Sequence, residues 1–169
     1  MKDQKELFLS LYEPVHQSFE RFCKARAYGQ MPFKDLMQET LLIAYTKLGQ
    51  VKDRGKFLFF LFGIASRILA NDRRKIKHTN LDDFSESSNF LQPEANRKSE
   101  TEDLYKALSL LPADQRDAII FFEIAGFSVR EIAGYQNKSE EAVRQHLSRG
   151  RQKLLALLRE VNESKNIIP

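Results

Sequence analysis

The spacing of its apolar side chains restricts this chain to helices. Phe8, Leu11, Val15, Phe19 and Phe22 recur at steps of three and four, which places them on one stripe of a helix with about 3.6 residues per turn. Met37, Leu41, Ala44 and Leu48 form a second stripe, and Leu104, Leu108 and Leu111 a third. No stretch alternates apolar and polar residues long enough to make a half-buried strand.

Glycine and proline divide these stripes. Pro14 is expected to kink or restart the first helix, because its ring cannot sit in a helix interior. Gly29 and Pro32 separate it from the second, and Gly49 is expected to stop that one. A short charged loop, Val51–Lys56, leads into a third helix from about Phe57 to the basic run Arg73-Arg74-Lys75. Near the other end, Pro112 and Gly126 bracket a helix from about Ala113 to Ala125. Ser128-Val129-Arg130-Glu131 then has the form of a capping box, in which Ser128 and Glu131 satisfy each other's backbone amides. Asn137 tolerates the left-handed conformation of a tight turn. Ser139 suits the cap of a long last helix, with Glu140 and Glu141 facing the positive end of its dipole.

Charge divides the chain in the same places. Residues 1–77 carry 15 basic and 8 acidic side chains, residues 78–100 carry 2 and 5, and residues 101–169 carry 10 of each. The acidic stretch has no helical period and many turn formers, as a surface linker does. The expected fold is all-α, with two small helical domains at 1–77 and 100–169 joined by a flexible linker at 78–99. The C-terminal domain is expected to be a helix-turn-helix.

The last helix bears most on function. Ile132, Ala133, Val143 and Leu147 suit the small core of a helix-turn-helix. The face opposite Val143 and Leu147 offers Arg144, Gln145, Ser148, Arg149, Arg151 and Lys153, and no acidic residue occurs between 142 and 159. Arg and Gln fit the edges of guanine and adenine, and Ser and Lys fit phosphates. A merely solvated basic face is the alternative. A helix from 139 to 160 is about 33 Å long at about 1.5 Å per residue. The major groove is about 12 Å wide, so only the first two or three turns can reach bases.

Other classes of function lack their marks. The apolar run Phe57–Ala65 is far shorter than the roughly 18 residues that span a bilayer, and the charged start Met1-Lys2-Asp3-Gln4-Lys5-Glu6 is unlike a signal peptide. Cys23 is the single cysteine, so no internal disulfide can form and a cytoplasmic protein is expected. His16, His78 and His146 lack metal-site spacing, and there is no glycine-rich phosphate loop. Neither an enzyme nor a cofactor is expected.

Three segments carry a resemblance. Asp35-Leu36-Met37-Gln38-Glu39-Thr40-Leu41-Leu42 is similar to the signature "DLVQETFL" of extracytoplasmic-function (ECF) sigma factors, the small group of the sigma-70 family. Leu110-Leu111-Pro112-Ala113-Asp114-Gln115-Arg116 resembles their "LP..QR" segment. Gly126–Ala133 followed by Ser139–Leu154 resembles their terminal helix-turn-helix. Order and spacing agree over about residues 5–77 and 100–160. The chain departs from the pattern in having no Trp near Phe60, Gly63 where Arg is frequent, Arg67 for a usual Asn, and Asn137-Lys138 in the turn for a Gly-apolar pair.

The resemblance implies a sigma factor whose partners are RNA polymerase core, through its β′ coiled coil and β subunit, and promoter DNA. It leaves room for an anti-sigma factor and implies no membrane insertion. Carried over residue by residue, it makes Asp35, Gln38 and Glu39 the surface that docks on the β′ coiled coil. They share one helix face, which without the signature reads as a solvated face. The third helix becomes the minus-10 reading and melting segment. Phe57, Phe59, Phe60 and Phe62 cannot all be buried by one helix, and exposed rings can stack on unpaired bases; Phe60 is the candidate carried forward. Arg67, Asn71, Arg73, Arg74 and Lys75 would flank the DNA backbone, and Lys52, Arg54 and Lys56 the captured base. Arg144, Gln145, Ser148, Arg149, Arg151 and Lys153 would meet the minus-35 element. The rival readings are a stand-alone helix-turn-helix regulator, which leaves the first domain unexplained, and a polymerase-binding adaptor, which needs no basic recognition face.

Overall fold

The structure, a computed structural model, describes residues 2–79 and 100–166, with side chains placed for 3–72 and 100–164. Every regular element among them is helical, and they belong to two compact units, Met1–Gln92 and Pro93–Pro169. The expected linker at 78–99 lies outside the described residues except for its first two, which continue the helix before it.

In the first unit, α1 spans Lys2–Tyr12 and α2 spans His16–Ala27. Pro14 sits in a single 3-10 turn, Glu13–Val15, that joins them, so the chain restarts where the ring would have broken a helix. Gly29, with φ of 77°, turns the chain after α2. Helix α3, Phe33–Thr46, starts directly after Pro32. It ends before Gly49, which falls inside a further 3-10 turn, Leu48–Gln50. Helix α4, Phe57–Thr79, follows the turn Arg54–Lys56, where Asp53 Oδ1 accepts a 2.9 Å hydrogen bond from the Gly55 amide.

Helix α3 packs against both α2 and α4. The core is rich in aromatic rings: Phe22 and Phe62 lie 4.0 Å apart between centroids, and Phe8 meets Phe57 edge-on at 5.8 Å. Such pairs contribute about 0.5–1.5 kcal/mol beyond their buried area. The seam of α3 differs from the expected Met37–Leu41 stripe. Leu36, Thr40, Ala44 and the following Leu48 are buried, while Met37 and Leu41 are only half-buried. With α2 on one side and α4 on the other, the most enclosed row is the one between the two apolar edges, and the small Thr40 and Ala44 let the helices approach.

The second unit contains α5, Glu100–Ser109; α6, Ala113–Ile119; α7, Val129–Gln136; and α8, Glu140–Asn166. The expected helix to Ala125 is α-helical only to Ile119 and then widens into a π-turn, Ile120–Ile124. The Ala125 amide donates to the Ile120 carbonyl at 2.9 Å, five residues back. Gly126, with φ of 79°, ends the segment as expected. Helix α8 packs on α5, α6 and α7, and its 27 residues exceed the expected 139–160, giving a length of about 40 Å.

Candidate nucleic-acid interface

The turn between α7 and α8 is built by local chemistry. Ser128 Oγ accepts from the Glu131 amide and Glu131 Oε1 accepts from the Ser128 amide, both at 3.1 Å, which closes the capping box. Asn137 ends α7 at φ 54° and ψ 48°, the left-handed conformation the turn requires. Ser139 Oγ then accepts from the Ala142 amide at 3.1 Å and opens α8. Ile132, Ala133, Val143 and Leu147 are buried and fix the two helices as a pair.

At about 100° per residue, the six candidates on α8 do not form one face. Gln145, Ser148 and Arg149 lie opposite the buried row Val143–Leu147–Gly150, and all three are exposed. Arg144 and Arg151 share one flank, two turns apart, and Lys153 lies on the other. Both flanking arginines have carboxylate partners. Arg144 Nη2 is 3.5 Å from Glu140 Oε2, one helical turn away. Arg151 reaches Glu123 Oε1 with Nε at 3.1 Å and Nη2 at 2.6 Å. Glu123 was invisible to periodicity, because it stands 28 residues from Arg151 and on another element.

In the first unit, Asp35, Gln38 and Glu39 are exposed together on α3, turned away from the buried Leu36–Thr40–Ala44 row. Leu42 joins them: it follows Gln38 and Glu39 by one turn and is 70% exposed. Its i, i+3 and i+7 spacing from Glu39 and Asp35 places it on their face of the helix. Glu39 also lines a cleft of about 520 Å³ between α3 and α4, with Lys47, Ile64, Arg67, Ile68 and Asn71. Three residues expected to serve two separate surfaces, Glu39, Arg67 and Asn71, thus border one depression.

Lys52, Arg54 and Lys56 are exposed on the loop before α4. Of the four phenylalanines that follow, Phe57 and Phe62 are buried, whereas Phe59 and Phe60 are half-buried. Helix α4 continues through Arg73, Arg74 and Lys75, whose side chains lie outside the described residues. His16 is occupied locally, with Nδ1 2.7 Å from Tyr12 Oη and Nε2 3.6 Å from Glu20.

A capped helix-turn-helix whose second helix is exposed along its outer arc is the architecture used by the helical class of DNA-binding proteins. Comparison with known proteins narrows this. The sigma-70 region 4 family matches residues 101–154. The chain is 32% identical over 126 residues to the ECF RNA polymerase sigma factor EcfG of Rhodopseudomonas palustris, covering 73% of this chain and 70% of that one. It is 30% identical over 154 residues to SigD of Mycobacterium tuberculosis, covering 84% and 72%. The chain belongs to the ECF sigma factors of bacterial RNA polymerase. It directs promoter recognition and transcription initiation. The fold agrees with that of Bartonella quintana RpoE, solved with the anti-sigma factor NepR, at a TM-score of 0.65, with 23% identity and coverage of 94% and 98%. Among the described residues no helix is long and apolar enough to cross a membrane.

Proposed function

We propose that the two units divide the work of initiation. The unit containing α1–α4 docks on polymerase core through Asp35, Gln38, Glu39 and Leu42, and handles the minus-10 element with Phe60, Arg67, Asn71, the Lys52–Lys56 loop and the basic end of α4. The unit containing α5–α8 reads the minus-35 element with the first turns of α8. Gln145, Ser148 and Arg149 meet base edges, and Arg144, Arg151 and Lys153 meet phosphates. The observation that carries this reading is the exposed outer arc of α8 at Gln145, Ser148 and Arg149, placed directly after a capped turn in a stretch, 142–159, that holds no acidic residue. Opening the duplex requires binding and positioning but no chemical step, so this role calls for no catalytic centre or cofactor, and it is carried out in the cytoplasm, where a bacterial polymerase meets its promoters. Regulation by an anti-sigma protein is part of this reading, supported by the similarly folded RpoE, which was solved with the anti-sigma factor NepR.

The deciding experiment is transcription from a randomised promoter library with purified core polymerase, with and without this chain. Enrichment of start sites preceded by paired minus-35 and minus-10 sequences, only when the chain is present, is the expected result. Start sites that share only one of the two elements would instead overturn the division of work between the two units.

A further inference from the structure

Arg151 is the most constrained cation described on α8. Its Nε and Nη2 both donate to Glu123 Oε1, at 3.1 and 2.6 Å, and its guanidinium carbon lies 5.3 Å from the centre of the Phe122 ring. Glu123 and Phe122 are adjacent residues of the π-turn Ile120–Ile124. The wider turn delivers a carboxylate to one edge of the guanidinium and an aromatic face to its plane. Two of the five N–H donors are thereby used and three remain. The side chain keeps about half of its exposure, at 47%. Its position, two turns beyond Arg144 on the same flank, is beside the outer arc of α8, where a DNA backbone runs past a helix whose outer arc faces the bases.

We infer that Glu123 is a positioning residue for promoter binding: it holds the Arg151 guanidinium with its free edge outward, so that this edge clamps a phosphodiester oxygen beside the minus-35 bases. A free arginine must lose rotamer freedom to make such a contact, whereas one already held by a carboxylate and a ring loses less. The carboxylate also opposes part of the phosphate's attraction, so the clamp favours a phosphate in the right place over phosphate in general. This inference rests on the assignment of α8 to minus-35 DNA.

The test uses holoenzyme reconstituted with core polymerase and a promoter duplex selected from a randomised pool by the wild-type holoenzyme. Binding is titrated at several salt concentrations. Arg151→Ala should weaken binding several-fold and lower the slope of log affinity against log salt by about 0.9, the loss of one phosphate contact. Base preference should not change. Glu123→Ala should shift affinity and slope in the same direction, and should add nothing in an Arg151→Ala background. Glu123→Gln keeps an acceptor oxygen, so it should restore the slope that Glu123→Ala loses. An effect of fold stability alone would weaken every variant without this pattern in the slopes.

An unchanged slope for Glu123→Ala beside a reduced one for Arg151→Ala would overturn the positioning role. Unchanged slopes for both would reduce the pair to a tie within the domain. Gln145→Ala serves as the control for the underlying reading. If it alters minus-35 preference while the Glu123 and Arg151 variants leave the slope intact, only this inference fails. If Gln145→Ala, Lys153→Ala and the pair all leave binding unchanged, the assignment of α8 fails with it.

Discussion

Gly150 faces Ile119 where α8 crosses α6, so closely that a β-carbon on Gly150 would lie 2.7 Å from Ile119 Cδ1. It would also stand 3.3 Å from Gln115 Cβ and 3.4 Å from the Gln115 carbonyl oxygen. The isoleucine tip can rotate away, but the Gln115 backbone cannot. Alanine gains about 1 kcal/mol over glycine in a helix interior, against about 1–3 kcal/mol for overpacking. Gly150→Ala should therefore destabilise the C-terminal unit by no more than about 2 kcal/mol. Gly150→Val, with two further methyl groups, should cost about 2–3 kcal/mol. Denaturant titration followed by a probe in this unit measures both.

Asn137 carries the left-handed turn between α7 and α8. Asn137→Gly should fold normally and bind promoter DNA like the wild type, because glycine takes this conformation without steric cost. Asn137→Val should lose about 1–3 kcal/mol, since a β-branched side chain is strained there. A valine variant with an unshifted melting temperature would show that the turn is not held in this conformation.

On α3, Glu39→Lys combined with Gln38→Ala should sharply reduce affinity for core polymerase. Charge reversal within a complementary contact costs several kcal/mol. Leu42→Ser should also weaken binding, because Leu42 is exposed beside these residues and supports no core. Circular dichroism should show intact helix for both, which separates loss of docking from loss of fold. Wild-type affinity in a titration with core would remove these residues from the docking surface.

Within α8, Gln145→Ala and Arg149→Ala should relax preference at particular minus-35 bases, each by about 1–3 kcal/mol of discrimination. Lys153→Ala should instead weaken binding evenly across sequences and reduce its salt dependence. Selection from randomised minus-35 sequences, with each variant in holoenzyme, distinguishes the two patterns.

Cys23 is fully buried on α2, and burial, reinforced by the nearby Glu20 carboxylate, pushes its thiol far above the usual range. Alkylation requires the thiolate. Folded protein at pH 8–9, where a free cysteine of ordinary pKa near 8.5 is half ionised, should therefore resist iodoacetamide. Labelling should become rapid only in denaturant. Mass spectrometry of the native protein over this pH range checks it.

Much of the helical layout was legible in the residues because its causes are local. The restart at Pro14, the capping box of Ser128 and Glu131, the left-handed Asn137 and the Ser139 cap each depend on groups within a few positions of one another. The four core positions of the helix-turn-helix could likewise be read from spacing alone, as could the shared face of Asp35, Gln38 and Glu39.

Tertiary contact decided the rest. On α3 a period near 3.6 accommodates two adjacent apolar rows, and only packing against α2 and α4 selected Leu36–Thr40–Ala44 over Met37–Leu41, leaving Leu42 outside. Among the phenylalanines of α4, local pattern required some exposure but could not say which; neighbouring helices buried Phe57 and Phe62. The hold of Glu123 on Arg151 joins two elements through residues 28 positions apart. Periodicity constrains which side chains of one helix share a face, because they are covalently spaced. It carries no information about which face a distant helix will cover, since that depends on how the assembled helices best exclude water.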